Sequence, residues 1–191
     1  MKVLIISDTH YKNEEMEQSI YDLILNSDFL IHAGDFSSKK AYDSFKILCD
    51  EKNIPFKAVY GNNDPDSLRE ILPERDVFET DGIKIGLIHI AGRSLNENTA
   101  RWYLLREMEV DVLIHGHIHT PMVDRYEDKY IICPGSPTRP RLSDKSVIMM
   151  ETEGGKVKSV EQIKVGDSMC SSAMFKKYLE EKEMRREKNE K

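Results

Sequence analysis

Lys2-Val3-Leu4-Ile5-Ile6-Ser7-Asp8-Thr9-His10 opens the chain and sets its grammar. Lys2 to Ile6 is an apolar run with no polar alternation, the pattern of a strand buried on both faces. It stops abruptly at two metal-capable side chains, Asp8 and His10. The same sentence is written four more times. Asp28–Ala33 runs into Gly34-Asp35, and Phe56–Tyr60 into Gly61-Asn62-Asn63-Asp64. Ile83–Ile88 ends in His89, and Val112–Ile114 leads into Gly116-His117-Ile118-His119. In α/β sheets ligands bind beyond the carboxyl ends of the strands, so five strands deliver Asp, His and Asn to what reads as one edge.

The segments between these strands give the fold class. Met16, Ile20, Leu23 and Ile24 lie at helical spacing, with Asn13 as cap and Glu14-Glu15 in the first turn. Ala41, Phe45 and Leu48 mark a second helix that must end before Asn53-Ile54-Pro55. Strand and helix alternate here, which predicts parallel strands in an α/β layered domain. After Tyr60 the pattern changes. Val77–Phe78 and Ile83–Ile88 flank the turn Asp81-Gly82, and Asn98–Met108 reads as a helix. From Met122 onward strand follows strand (Met122–Tyr126, Tyr130–Cys133, Val147–Glu151, Val157–Ile163), which predicts an antiparallel half. The expectation is two sheets face to face with helices outside.

Composition narrows the function. The 191 residues carry 28 Lys+Arg against 34 Asp+Glu, a net charge of −6. That balance argues against a dedicated nucleic-acid surface. No run reaches the 18 or so apolar residues of a membrane span, and the first residues do not read as a signal peptide. Cys49, Cys133 and Cys170 are odd in number and far apart, which suggests a reducing, cytoplasmic setting.

The residue types at the five strand ends explain themselves as metal chemistry. A carboxylate can bridge two cations, and imidazole with carboxylate or amide oxygen suits Mn, Fe, Zn, Co or Ni. Two such cations about 3.5–4 Å apart can clamp a phosphoryl oxygen. Gly34, Gly61 and Gly116 would let the backbone turn tightly beside each ligand. His32, His115 and Asp64 also lie near the motifs. The histidines read as hydrogen-bonded core or supporting residues, and Asp64 as a structural acceptor before Pro65. Cys133 reads as buried and not catalytic. Arg139 and Arg141 read equally as phosphate ligands or as solvated loop residues.

The set Asp8-Thr9-His10, Gly34-Asp35, Gly61-Asn62-Asn63-Asp64, His89 and Gly116-His117-Ile118-His119 resembles the calcineurin-like metallophosphoesterases. Within them it is similar to the small YfcE-like phosphodiesterases and to their relative Vps29. Cys133-Pro134-Gly135-Ser136 with Arg139-Pro140-Arg141 resembles the family's late Pro-Gly-Ser segment. The resemblance spans about residues 1–165 and leaves 166–191 as a charged tail. It implies a four-layer sandwich of two mixed β-sheets flanked by α-helices, with two divalent ions, Mn²⁺ first and Ni²⁺, Fe²⁺, Co²⁺ or Zn²⁺ as alternatives. Asp8, His10, Asp35 and His119 would hold one ion. Asp35, Asn62, His89 and His117 would hold the other, with Asp35 shared. A hydroxide activated there would attack phosphorus in line, with Asp35, Asn62 and Asn63 as the catalytic group and Asn62, Asn63, Arg139 and Arg141 against substrate.

Two positions depart from the family pattern. Asn63 stands where relatives carry His or Cys, and an amide can donate a hydrogen bond but not a proton near neutral pH. His89-Ile90-Ala91-Gly92 stands where relatives show His-Gly-His. The implied activity is a phosphodiesterase on small phosphodiesters, with a phosphomonoesterase or a Vps29-like interaction scaffold as rivals. In the tail, Ser171-Ser172 can cap a helix with Met174, Phe175, Tyr178 and Leu179 on one face. That segment reads as a solvated end or as a contact for a homo-oligomer.

Overall fold

The computed structural model describes residues 1–11, 15–90 and 98–167. Among the described residues ten strands form two sheets of five. The first, in the order β10-β9-β1-β2-β3, comprises β1 (Lys2–Ile6), β2 (Phe29–His32), β3 (Phe56–Ala58), β9 (Lys145–Glu153) and β10 (Lys156–Gly166). The second, β4-β5-β6-β8-β7, comprises β4 (Arg75–Thr80), β5 (Ile83–Ile88), β6 (Val112–His115), β7 (Pro121–Tyr126) and β8 (Lys129–Pro134).

The unalternating runs have a direct cause. Val3 and Ile5 of β1 point between the sheets, where they join Phe29, Ile31, Ile85, Leu87, Val112, Ile114 and Ile132. Leu4 and Ile6 point the other way, onto Ile20 and Ile24 of α1 (Gln18–Leu25) and Ala41, Phe45 and Leu48 of α2 (Lys39–Lys52). On the far side, Leu113 and Ile131 meet Leu105 and Met108, which belong to and follow α4 (Asn98–Glu107). Both faces of each central strand are therefore covered, and the four layers follow.

Several elements are built as their sequence suggests. Ser38 caps α2 by accepting the N–H of Ala41 at 3.1 Å, and Asn53 closes it in the left-handed conformation at φ 56°. Asp81-Gly82, both at positive φ, forms the two-residue hairpin loop between β4 and β5. Other expectations are corrected. Helix α1 begins at Gln18, not at Glu14-Glu15. Glu17 is extended at that point and receives the Tyr11 hydroxyl, which holds it outside the helix; Asn13 and Glu14 lie outside the described residues. The late strands are not uniformly antiparallel. β8 pairs with β6 in parallel, because β7 runs to the sheet edge and leaves β8 between them. A one-turn helix, α3 (Asp66–Arg69), follows Pro65 and had no periodic signal.

Parallel pairing fixes where the site falls. Ile6 is level with His32, His32 with Ala58, and Ile88 with His115. The segments that follow β1, β2, β3, β5 and β6 consequently leave the sheets side by side. The expected tail helix lies outside the described residues.

Candidate metal centre

Five of the seven expected ligands, Asp8, His10, Asp35, His117 and His119, adopt positive φ between 50° and 73°. That region is uncommon for residues with a Cβ, so the loops leave the strands in turns that the surrounding bonds must hold. Asp8 N–H donates to Gly34 O at 3.0 Å, and His10 N–H to Asp35 O at 3.0 Å, lacing the first two loops. Ile118 N–H donates to Gly116 O at 2.9 Å across His117, a γ-turn of the rare positive-φ kind.

Two of the three glycines serve close approach more than turning. Gly34 does adopt positive φ, at 88°, but Gly61 and Gly116 do not. A Cβ on Gly61 would sit 2.1 Å from Asp35 Oδ1, and one on Gly116 2.0 Å from the Ser7 hydroxyl. Only hydrogen fits where those loops meet the carboxylates.

Inside the ring of loops the polar atoms converge. Asp8, His10, Asp35 and His119 each offer a ligand atom within 4.8 Å of the others. Asp35 Oδ2 lies 3.7 Å from His10 Nε2 on one side and 3.4 Å from His89 Nε2 on the other. Asn62 Oδ1 completes the second group, 3.1 Å from His89 Nε2 and 2.9 Å from His117 Nδ1. All seven expected ligands are thus brought together, with Asp35 between two half-sites.

The donor chemistry fits cations. His89 Nδ1 is bonded to Ala33 O at 2.7 Å and His119 Nδ1 to Arg139 O at 2.5 Å, so both Nδ1 atoms carry the hydrogen. His10 Nδ1 shares a bond with the Ser37 hydroxyl at 2.8 Å. Each of these rings turns Nε2 inward, the arrangement in which metal-binding histidines are held. His10 Nε2 and His119 Nε2 then face each other at 3.2 Å. Asp8 Oδ1 is buried 3.2 Å from His119 Nε2 and has no hydrogen bond directed at it. With the hydrogen of His119 on Nδ1, its Nε2 and Asp8 Oδ1 face each other as acceptors, and a positive ion at their focus removes the conflict.

Without an ion, protons take that place. Burial alone would push the Asp8 carboxyl up, but His119, His89 and the Ser7 hydroxyl outweigh it and hold it down. Asp35 is treated likewise by His89 and Asn63, and its carboxyl falls well below the carboxylate range. His89 and His119 are raised, because contact with Asp35 and Asp8 respectively overcomes their burial. His10 and His117 are lowered, chiefly by burial.

The supporting shell was only partly legible. Asp64 is the structural acceptor its place before Pro65 suggests: Oδ2 accepts from Gly61 N–H at 2.8 Å and Asp35 N–H at 3.0 Å, and Oδ1 from Ser37 N–H at 2.7 Å. His32 is fully buried, its Nδ1 accepting the Gly34 N–H at 3.2 Å and its Nε2–H donating to the Thr9 hydroxyl at 3.1 Å. His115 bonds Gly116 O through Nδ1 at 3.0 Å. The Pro-Gly-Ser segment works through Ser136, whose hydroxyl donates to Asp8 O at 2.7 Å and accepts from Arg139 N–H at 2.8 Å. An isolated serine beside a loop carries no pattern, so nothing local announces the contacts of Ser7 and Ser37, and the Pro-Gly-Ser motif does not by itself name the partner of Ser136. Cys133 is buried, its thiol pushed up to about 12 by that burial.

Asn63 is placed differently from a leaving-group donor. Its side-chain amide donates to Asp35 Oδ2 at 2.6 Å and its backbone N–H to Oδ1 at 2.8 Å. It still lines an open cleft of about 600 Å³ with His10, Ser37, His119, Arg139 and Arg141. A smaller recess of about 180 Å³ adjoins the other half-site, between Tyr60, Asn62, Arg69, Glu74, His89 and Ile90.

A two-sheet sandwich with Asp, His and Asn gathered at the strand ends is the architecture of the metallophosphoesterases, and comparison with known proteins agrees. The chain belongs to the calcineurin-like phosphoesterase superfamily, whose domain model matches residues 1–155. It is 33% identical over 179 residues to a probable metallophosphoesterase of Methanothermobacter thermautotrophicus, covering 93% of this chain and 100% of that one. It is 30% identical to a protein of Methanocaldococcus jannaschii named a phosphodiesterase, over 71% of this chain and 83% of that one. Among solved structures, zinc-complexed Vps29 from Entamoeba histolytica superposes with a TM-score of 0.68 at 24% identity, over 85% of this chain and 97% of that one. No helix among the described residues is long and apolar enough to cross a membrane.

Proposed function

We propose that the chain is a metal-dependent phosphodiesterase. The observation that carries this reading is the set of inward-facing carboxylate, imidazole and amide acceptors on both sides of Asp35 Oδ2, a donor set that suits divalent cations and repels anions. Asp8, His10, Asp35 and His119 would hold one ion; Asp35, Asn62, His89 and His117 would hold the second. Mn²⁺ is the first choice, and the mixed nitrogen and oxygen donors also suit Fe²⁺, Co²⁺, Ni²⁺ and Zn²⁺. When bound, such a pair supplies Lewis-acid charge for the phosphoryl oxygens and acidifies water for in-line attack.

The chain's own residues do the rest. Asn63 holds the Asp35 carboxylate and Asp64 holds the Asp35 backbone N–H. Ser37, Ala33 and Arg139 fix the three imidazoles through their outer nitrogens. The cleft and the recess flank opposite half-sites, leaving room for an ester arm on each side of phosphorus. This supports a diester over a monoester, as does the relative named a phosphodiesterase. Among the described residues the cleft offers no carboxylic acid or thiol to protonate a departing alkoxide, and its two histidines, His10 and His119, would be taken up as metal ligands, so esters with good leaving groups are the favoured substrates.

The test is turnover of bis-p-nitrophenyl phosphate by chelator-stripped protein with and without Mn²⁺. Activity should appear with metal and vanish in Asp35→Asn. If Mn²⁺, Ni²⁺, Co²⁺ and Zn²⁺ all fail, catalysis is demoted in favour of an interaction scaffold. That second reading has an observation of its own, since Tyr103, Val123 and Tyr126 stand exposed on α4 and the edge strand β7. Faster release from p-nitrophenyl phosphate than from the diester would instead favour a monoesterase.

A further inference from the structure

The cleft and the recess differ in charge, and the difference selects a substrate. Arg139 and Arg141 stand on a loop that is tied down at its backbone. Arg139 N–H is held by the Ser136 hydroxyl and Arg139 O accepts from His119 Nδ1 at 2.5 Å. Arg141 N–H donates to His119 O at 3.1 Å, and Arg141 O accepts the Thr120 hydroxyl at 2.9 Å. Both side chains are exposed at the cleft. Among the described residues neither guanidinium makes an ion pair or a hydrogen bond. Two unneutralised forks are thus held beside the centre by a backbone bonded to one of its ligands. Guanidinium groups so placed are suited to bidentate recognition of phosphate or carboxylate.

The scissile group does not account for them. A diester carries one negative charge, which falls to the centre itself. The cleft of about 600 Å³ is of the size that accommodates a whole small ligand. The recess on the other side has the opposite character. Tyr60, Ile88 and Ile90 give it an apolar wall, and Glu74 adds a carboxylate. Its one arginine is engaged: Arg69 Nε donates to Asp64 O at 3.0 Å and Nη2 to Asn62 O at 2.9 Å, while the guanidinium lies 5.3 Å from the Tyr60 ring centre. Hydrogen bonds to main-chain carbonyls leave the Arg69 charge in place, but Glu74 balances it, so among the described residues the recess lacks the net positive charge of the cleft.

We infer that the substrate is an unsymmetrical phosphodiester: one ester arm carries a second anionic group, a phosphate or carboxylate, on Arg139 and Arg141, and the other arm is uncharged and lies against Tyr60, Ile88 and Ile90. The inference deepens the phosphodiesterase reading and rests on it.

Two matched esters test it. Thymidine 5′-(p-nitrophenyl phosphate) and the same ester with a 3′-phosphate differ only by the second anion, and both release p-nitrophenol. With Mn²⁺, the 3′-phosphate should raise kcat/KM by about tenfold, the scale of one charge-assisted contact. In the double variant Arg139→Ala/Arg141→Ala the ratio between the two esters should collapse to about one. A ratio near one in the wild type, or a ratio that survives the double substitution, overturns the inference. If neither ester nor bis-p-nitrophenyl phosphate is hydrolysed, it is the phosphodiesterase reading that fails. Calorimetry of the Mn²⁺-treated protein with thymidine 3′,5′-bisphosphate then decides the anion site separately. Binding that the double variant loses upholds the site; no binding, or equal binding by both proteins, overturns it.

Discussion

Asn63 grips both oxygens of Asp35, the backbone N–H on Oδ1 at 2.8 Å and the side-chain amide on Oδ2 at 2.6 Å. The residue that the family pattern would use to reach substrate here spends its donors on a ligand. His89 first, and Asn63 after it, keep the Asp35 carboxyl deprotonated far into acid. An imidazole at position 63 would restore a group that titrates near neutrality at the cleft wall. Asn63→His should therefore speed hydrolysis of diesters with alkyl leaving groups by about tenfold or more, within the range of general-acid catalysis. Aryl esters such as bis-p-nitrophenyl phosphate should change little or slow down. An alkyl-to-aryl rate ratio that stays where it was would refute the assignment of leaving-group protonation as the limiting feature.

Asp64 secures the backbone of the same residue, accepting the Asp35 N–H at 3.0 Å. It receives three backbone N–H groups, from Gly61, Asp35 and Ser37, and is itself 4% exposed. Asp64→Ala leaves those donors buried without acceptors, and each orphaned group costs about 1–3 kcal/mol. The variant should lose at least about 3 kcal/mol in urea unfolding, read as a lower midpoint at unchanged slope. A midpoint within error of wild type would show that water or loop movement satisfies the three donors, and that Asp64 is not the tie between the second and third loops.

His32 makes the metal-free protein sensitive to acid. It is fully buried, stacked on Phe36 at 3.7 Å, and its Nδ1 already accepts the Gly34 N–H. Protonation would have to displace that bond, and complete burial pushes its pKa from 6.5 down to about 3. His115, likewise buried, is pushed down to about 4. Between the unfolded and folded values the unfolded chain binds protons that the native state refuses. Stability from these two groups is therefore whole above about pH 6.5 and drains away as the pH falls toward 3, by at most about 1.4 kcal/mol per unit for each. Urea midpoints measured in chelator from pH 7 to pH 4 should fall, and His32→Gln should flatten the slope. A variant with the wild-type slope would remove His32 from the account.

How much of this could be read from the chain follows from which signals are local. The strand runs β1, β2, β5 and β6 are apolar on both faces, and that pattern survives in one dimension; so does the polar residue that ends each run. The seven expected ligands meet because parallel registers place those ends level, Ile6 with His32 and Ile88 with His115. What escaped were contacts between distant segments. Ser136 holds the backbone of Asp8 from 128 residues away, and nothing around either residue announces the partner. Gly61 and Gly116 suggest tight turns, yet their reason lies across the site, in carboxylates and a hydroxyl that a methyl group would strike. The parallel β6–β8 pair was hidden because chain order does not reveal that β7 takes the edge.

Asp8 supplies the final prediction, since its buried Oδ1 has no hydrogen bond while Oδ2 takes the Ser7 hydroxyl at 2.6 Å and the His117 N–H at 2.9 Å. A cation that binds only the folded chain stabilises it by about 2.7 kcal/mol at one hundred times its dissociation constant. For a chain of this length that is a rise in Tm of about 5–10 °C. Mn²⁺ added to chelator-stripped protein should produce it, and excess chelator should reverse it. His89 and His119, raised by their carboxylate neighbours, hold protons that the ion must displace. The thermal shift at fixed Mn²⁺ should accordingly shrink as the pH falls from 8 to 6. Asp8→Asn removes one anionic ligand atom and relieves the clash of acceptors, so it should lose the Mn²⁺ response while keeping or gaining metal-free stability. A wild-type Tm that ignores Mn²⁺, Co²⁺, Ni²⁺ and Zn²⁺ alike, or an Asp8→Asn protein that still responds fully, would mean that these acceptors are reconciled by protons alone.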